Sequence, residues 1–156
     1  MTSPHTSPRI ETKRELYRLF NEVPTLVDVQ ISYGRPPDIE DKHIVIGPVT
    51  GSVEISAMTG PGGPRQRDDL FEVAILVGAG QLGDTLEEAE NKVAPILSAV
   101  EATLADYPTL PQVPEVLSAT VSRIDGPDLA YIGDAQALAY AIVTVEVLAR
   151  YTFGAP

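Results

Sequence analysis

Residues 78–83 read GAGQLG, a GxGxxG spacing between a predicted strand and a predicted helix. In dinucleotide-binding proteins, glycines at this spacing let the backbone approach a pyrophosphate at the helix N-terminus. Here Asp84, Glu87 and Glu88 follow directly, so negative charge would repel phosphates and satisfy free N–H groups. A proline-rich connector, rather than a second parallel strand, then follows the helix. We interpret the segment as a tight strand-to-helix turn, with a small nucleotide-binding or hydrolytic enzyme as the alternative.

A second cluster contains the residue types of a metal site: Asp38, Glu40, Asp41 and His43. His43 and Asp41 are two residues apart and would share a face of a strand. A zinc site needs three or four converging ligands, however, and the other histidine, His5, lies in a predicted flexible arm. We expect a solvated acidic turn and no metal.

Other catalytic chemistry has little support in the residue types. The chain has no cysteine, which rules out disulfides and thiolate chemistry, and it has no GxSxG nucleophile elbow. Its 22 acidic residues offer many pairs, but nothing singles out one pair for hydrolysis. We therefore expect no enzyme activity and no cofactor, and a role in assembly with other proteins.

Charge argues against partners that are themselves acidic. The net charge is −11, with 8 Lys/Arg against 11 Asp/Glu in residues 1–83 and 3 against 11 in residues 84–156. Phosphate binding depends on Lys and Arg, so we expect neither DNA nor acidic membranes to be bound, although DNA could pass without sticking. No apolar run approaches the roughly 18 residues that span a bilayer, and a cytoplasmic origin is the default expectation.

The candidate binding residues are instead those of a subunit interface. Residues 60–69 are rich in glycine and proline and predict a mobile loop that presents Arg65, Arg67 and Asp68 to a neighbouring subunit. Tyr151 and Phe153, with Tyr131 and Tyr140, place aromatic residues near the C-terminus, either as sheet core or as an interface belt.

The hydrophobic patterns predict the elements that must position these residues. Residues 1–11 are expected to be a flexible arm, and residues 12–156 a single domain. Thr12 and Glu15 match a capping box that opens a short helix, and Asp84 with Glu87 match another that opens the longest helix, which contains Pro95. Strands are predicted over residues 27–33, 43–49, 51–59, 70–77, 115–124 and 137–153, with a hairpin turn at 48–51 and a turn-rich loop over 125–134.

This order predicts an α+β domain, with a mostly antiparallel sheet packed against two helices and a long C-terminal strand. At 17 residues and about 3.3 Å each, the last strand would reach about 55 Å and bend, bulge or project past the domain.

The layout resembles the tail terminator proteins of long-tailed bacteriophages and related minor tail or neck subunits. The resemblance covers residues 12–153. It lies in the N-terminal helix before VDVQISYG, the long hairpin loop, the strand FEVAILV before the acidic helix DTLEEAENKVAPILSAVEATL, and the final strand AYAIVTVEVLARYTF. It implies a homohexameric ring that caps the tail tube, stops its polymerisation and joins it to the neck.

The resemblance further implies a virion protein assembled in the host cytoplasm. Its partners would be the major tail tube protein and a head–tail neck or stopper protein, with the genome passing through the channel without specific binding. A ring of this kind needs head-to-tail interfaces that close by rotation. Another neck or minor tail subunit is the nearest alternative, and the host is not indicated.

Overall fold

Long β-strands dominate the chain, which the computed structural model describes over residues 7–58, 65–132 and 136–153. In chain order the elements are α1 (Pro8–Asn21), a 3₁₀ helix (Pro24–Leu26), β1 (Gln30–Tyr33), β2 (Lys42–Met58), β3 (Arg65–Ala79), α2 (Leu86–Asp106), β4 (Val116–Ile132) and β5 (Gln136–Phe153). They form a single five-stranded sheet in the order β1-β2-β3-β5-β4, in which β1 and β2 are parallel and all other neighbours are antiparallel. The predicted α+β class, the mostly antiparallel sheet and the long C-terminal strand are confirmed.

One face of this sheet is buried under the two helices. From residue 71 of β3 and over residues 137–149 of β5, every second residue is apolar and fully buried on this face: Phe71, Val73, Ile75, Val77, Ala79, Ala137, Ala139, Ala141, Val143, Val145, Val147 and Ala149. Leu16 and Phe20 of α1 and Val93 and Val100 of α2 complete the same core. Burying each Val, Leu or Phe side chain contributes about 1.5–3 kcal/mol, so the alternating pattern specifies this face.

The predicted hairpin between residues 48 and 51 is wrong, because residues 42–58 form one strand. Gly47 and Pro48 are accommodated in a bulge between Ile46 and Val49, where the register against β3 shifts. A bulge suits proline, which has no N–H to give to the ladder. Gly51 is required by close pairing, since a Cβ there would lie 2.3 Å from the carbonyl oxygen of Leu70.

The predicted loop over residues 125–134 is also largely wrong. Strand β4 runs on to Ile132, with a register shift against β5 between Asp125 and Asp128. Gly126, whose φ of +102° favours glycine, lies inside this irregularity. Residues 133–135 lie outside the described part of the chain. The cross-strand bonds to β5 therefore outweigh the local turn preference of this glycine-proline segment.

Helix α1 begins earlier than its predicted capping box. Ser7 is the N-cap, its side chain accepts from the backbone N–H of Arg9 at 3.3 Å, and Pro8 occupies the first turn. Residues 8–11 are therefore helical rather than part of a flexible arm, and residues 1–6 lie outside the described part. Thr12 and Glu15 are buried instead of capping. Serine followed by proline is itself a strong helix start.

Helix α2 and strand β1 begin later in the structure than the sequence predicts. Thr85, not Asp84, caps α2: its hydroxyl accepts from the N–H of Glu88 at 3.1 Å, so the capping box lies one residue downstream of the prediction. Pro95 lies inside α2 as predicted. Strand β1 begins only at Gln30, because residues 27–29 form a turn after the 3₁₀ helix.

Candidate subunit interface

Four of the five predicted interface residues pair across one end of the sheet. In the register of β3 and β5, Arg65 faces Phe153, Arg67 faces Tyr151, and Asp68 faces Arg150. The prediction of a mobile loop over residues 60–69 is wrong for residues 65–69, which are strand, while residues 60–64 lie outside the described ranges. Strand β3 is bonded on both sides here, by β2 and by β5, and this double pairing outweighs the polar character of the segment.

Arg150 completes this end of the sheet, although sequence reasoning missed it. Its guanidinium donates to both carboxylate oxygens of Asp68, at 2.7 and 2.9 Å. The hydrogen bonds to Asp68 raise the pKa of Arg150 above its ordinary value. Asp68 is thus engaged within its own chain, and it orients a cation on the outer face of the sheet. Only the strand register could have revealed this pair, since 82 residues separate its members.

On the opposite face the same end is anchored to α1. Arg9 donates from Nε and Nη2 to the two carboxylate oxygens of Asp69, at 2.8 and 2.7 Å, and lies 5.6 Å from the ring centre of Phe71. The Asp69 side chain is only 3% exposed. Residues 65–68 and 150–153 therefore form one end of the sheet beside the first turn of α1, and residues 55–58 of β2 pair with the same end. We call residues 65–68 and 150–153 the tongue.

The structure separates the aromatic residues grouped near the C-terminus. Tyr131 and Tyr140 lie in the hairpin of β4 and β5, whereas Tyr151 and Phe153 lie at the other end of β5. The eleven residue steps from Tyr140 to Tyr151 along the strand span about 36 Å. The two groups cannot form one belt within a single chain. Tyr131 is 61% exposed, so it is not core.

Two strand edges are open within the described part of the chain. Strand β1 pairs only with residues 43–46 of β2, so the rest of that side of β2 has no strand neighbour among the described residues. Strand β4 forms the other edge, and the connector after α2 bonds to its first residues, where the N–H of Val116 donates to the carbonyl of Val113 at 3.0 Å and that of Ala119 to the carbonyl of Pro108 at 2.7 Å. Open edges of this kind can pair with another chain.

Two backbone donors in the middle of the GxGxxG segment are occupied. The N–H of Gly80 donates to the carbonyl of Asp41 at 2.8 Å, and the N–H of Gln81 donates to the Asp84 carboxylate at 3.0 Å. Lys92 contacts the same carboxylate at 2.6 Å and holds the pKa of Asp84 below its usual value. Helix α2 begins only at Leu86, so its N-terminus does not open at the glycines.

Close packing explains two of these glycines. A Cβ at Gly78 would lie 2.4 Å from Nε2 of His43, and a Cβ at Gly80 would lie 2.1 Å from the carbonyl oxygen of Ala137. These contacts fit the predicted tight turn, in which the absent side chains make room for neighbours rather than for a pyrophosphate.

The acidic cluster near His43 does not converge on a point. His43 is 5% exposed, and its Nδ1 lies 3.0 Å from the carbonyl oxygen of Glu40, while Lys42 pairs with Asp28 at 2.9 Å. An open cleft of about 500 Å³ lies beside it, lined by Asp28, Glu40, Asp41, Lys42, Gln81 and Lys92. In the described ranges, no three His, Asp or Glu side chains are arranged to hold a metal ion.

Burial of His43 leads to a prediction about pH. Desolvation lowers the pKa of His43 below its ordinary value of 6.5, so the unfolded chain binds a proton at a higher pH than the folded one. The free energy of unfolding should thus be constant above about pH 6.5 and fall as the pH drops below it, by at most about 1.4 kcal/mol per pH unit.

Urea denaturation between pH 7.5 and 5.5 measures this slope. His43→Gln should flatten it, while His5→Gln, which changes the other histidine, should leave it unchanged. Equal slopes in the wild type and His43→Gln would contradict the prediction.

Fold and site together define a layered α+β domain with a paired sheet end and open strand edges. No helix in the described ranges has the length and apolar character to cross a membrane. No protein-family model matches the sequence, and no curated protein matches it.

Proposed function

We propose that this chain is a structural virion subunit, a tail terminator that forms a ring at the head-proximal end of a phage tail tube. The ring stops polymerisation of the tube and joins the tail to the neck. Its subunits contact one another, the tail tube protein and a neck protein, and the genome passes through the central channel. A neck or other minor tail subunit would use the same surfaces without limiting tube growth.

The observation that carries this proposal is the tongue of sheet formed by residues 65–68 and 150–153. It lies at the end of the sheet beside the turn of α1 held by Arg9, and it brings together the residues expected to contact a neighbour. Strands of 15 to 18 residues are long compared with the roughly 3–10 residues usual in globular proteins. The ends of such strands gain stability when another chain packs against them.

The open face of the sheet supports the same proposal. Glu72 and Glu146 lie directly opposite each other on β3 and β5, and both are exposed. Like charges at directly opposed positions destabilise a sheet, so their presence here is a cost to folding. An acidic surface of this kind repels phosphates, which suits a channel through which DNA slides.

Native mass spectrometry and negative-stain imaging of the purified protein test the proposal. Six-fold rings with a central opening are expected, and added rings should stop the growth of tail tubes assembled from purified tube subunits. A strictly monomeric protein at high concentration would refute it. Rings that leave tube growth unaffected would favour the neck-subunit alternative.

Charge reversal in the tongue gives a further prediction. Arg65→Glu with Arg67→Glu should weaken ring formation, because these cations lie at the end of β3 within the tongue, and the melting temperature of the variant checks that the monomer stays folded. Arg35→Glu with Arg123→Glu makes the same change in net charge at two exposed sites outside the tongue and serves as the control. Native mass spectrometry measures the ring yield of both variants. Unchanged ring formation in the Arg65→Glu/Arg67→Glu variant would contradict an interface at the tongue.

A further inference from the structure

A basic and aromatic surface covers the solvent side of α1, on a protein that is otherwise strongly acidic. We call it the basic–aromatic patch: Ile10, Lys13, Arg14 and Tyr17 of α1, with Tyr33 of β1. Ile10, Tyr17 and Tyr33 are 43%, 39% and 45% exposed, which is high for large apolar or aromatic side chains. Tyrosine and arginine are the residue types most enriched where proteins bind one another.

The patch is ordered by contacts between its own members. The rings of Tyr17 and Tyr33 meet edge to face with centroids 6.4 Å apart, and Nζ of Lys13 lies 4.7 Å from the ring centre of Tyr33. Arg14 is exposed and forms no ion pair with any described residue. A rigid aromatic platform with a cation beside it loses little conformational freedom on binding.

A complementary surface lies on α2. We call it the acidic flank: Glu87, Glu90 and Glu101, which are exposed and share one side of the helix. None of the three forms an ion pair within the described ranges. The other side of α2 is taken up by the chain itself, since Ala99 and Thr103 line a groove shared with Leu19 and Val23. The acidic flank thus faces away from α1.

The sheet order places these two surfaces at opposite edges of the domain. Helix α1 packs on β1 and β2, and α2 packs on β3, β4 and β5. Strands β1 and β4 are the two edges of the sheet. The uneven charge of the sequence thus becomes a lateral polarity, with Lys13 of α1 over Tyr33 at the β1 edge and the unpaired acids of α2 toward the β4 edge.

We infer that the basic–aromatic patch of one copy binds the acidic flank of a second copy of this chain. A patch on one edge and its complement on the opposite edge are the two halves of a head-to-tail interface, which closes into a ring when the rotation between copies is right. Charge complementarity selects this occupant. Lys13 and Arg14 then face the acids of the flank, and the aromatic pair packs against the short side chain of Ala94, which is exposed between Glu90 and Glu101 on the same side of α2.

This inference rests on the proposed function in one respect, because it requires that copies of the chain associate with one another. The ring could close through the tongue of sheet alone, in which case the patch would have another use. The test therefore measures the patch separately from assembly as a whole.

The experiment compares two double variants, Lys13→Glu/Arg14→Glu and Glu90→Lys/Glu101→Lys, alone and mixed. For each variant alone, the dissociation constant of self-association should rise by about tenfold or more, because like charges then meet across the contact. An equimolar mixture should assemble again. The unchanged acidic flank of the first variant can bind the unchanged basic–aromatic patch of the second, and the altered patch of the first, now acidic, can bind the altered flank of the second, now basic. Sedimentation velocity and native mass spectrometry measure assembly, and melting temperatures show that each variant is folded.

A matched control separates pairing from net charge. Adding Glu90→Lys/Glu101→Lys to Lys13→Glu/Arg14→Glu in one chain restores the original net charge and swaps the pair, so assembly should return. Adding Glu72→Lys/Glu146→Lys instead restores the net charge on the open sheet face, and assembly should not return. Equal recovery in both chains would overturn the inference.

The remaining outcomes are also decisive. Wild-type assembly in the Lys13→Glu/Arg14→Glu variant would overturn this inference and leave the proposed ring standing. A monomeric wild type would overturn both. Loss of retention on a DNA column without any change in assembly would reassign the patch to nucleic acid.

Discussion

Gly80→Ala is expected to destabilise the protein by about 3 kcal/mol, the upper end of what overpacking of a well-packed site usually costs. The new Cβ would lie 2.1 Å from the carbonyl oxygen of Ala137 and 3.0 Å from Cα of Leu138. Both atoms are backbone of β5, a central strand bonded to both β3 and β4. Relief therefore requires a shift of the strand rather than a change of rotamer.

Gly83→Ala is the matched control in the same turn. Gly83 has a φ of +91°, and a Cβ added there would have no neighbouring atom within 4 Å, so alanine costs only backbone strain, about 1 kcal/mol. Urea denaturation of both variants measures the difference. Equal destabilisation by the two substitutions, or none by Gly80→Ala, would contradict the packing account of this turn.

The same pair of variants bears on the nucleotide-binding alternative. If Gly80 serves packing, its substitution lowers the melting temperature with or without nucleotide, and nucleotides do not raise the melting temperature of the wild type. A nucleotide-dependent rise in the wild type would reopen the enzyme hypothesis.

Arg9→Met is expected to cost about 2–3 kcal/mol, because it leaves the Asp69 carboxylate buried without its partner. The value lies below that of a fully buried pair, since the Arg9 side chain is 27% exposed and water can reach part of the site. The substitution keeps the unbranched apolar stem and removes the guanidinium, so the loss reports the two charge-assisted hydrogen bonds together with the contact of the guanidinium with Phe71.

Replacing both partners separates the ion pair from packing. Asp69→Leu combined with Arg9→Met removes the unpaired charge, and should recover most of the lost stability because no buried polar group is left without a partner. Thermal and urea unfolding of the two single variants and the double variant form the cycle. Additive losses would show that Arg9 and Asp69 act independently, contrary to this prediction.

The fold class was predictable because burial repeats with a simple period. Alternation through β3 and β5, and the helical spacing of Val93, Val100 and Leu104, place apolar side chains on one face whatever the rest of the chain does. The charge asymmetry between the two halves of the sequence was equally visible. The positions of these charges on the folded domain were not predictable, because they depend on the order of the strands in the sheet.

The errors occurred where local preference and tertiary pairing conflict. Gly47 with Pro48, and Gly126 with Pro127, have the composition of turns, yet each lies in a bulge inside a long strand. Thr12 and Glu15 match a capping box, yet both are buried, and Glu15 accepts from the N–H of Gln112 at 2.7 Å. A partner 97 residues away has no local signature.

Composition and hydrophobic period are local properties of the chain, so they were enough to predict an acidic α+β domain without cysteine, with an amphipathic sheet and two helices. The strand over residues 65–69 and the pairing of Asp68 with Arg150 follow from the folded arrangement. The fold also places α1 and the acids of α2 toward opposite edges of the sheet. These features depend on register and strand order, which arise from hydrogen bonds between segments far apart in the chain.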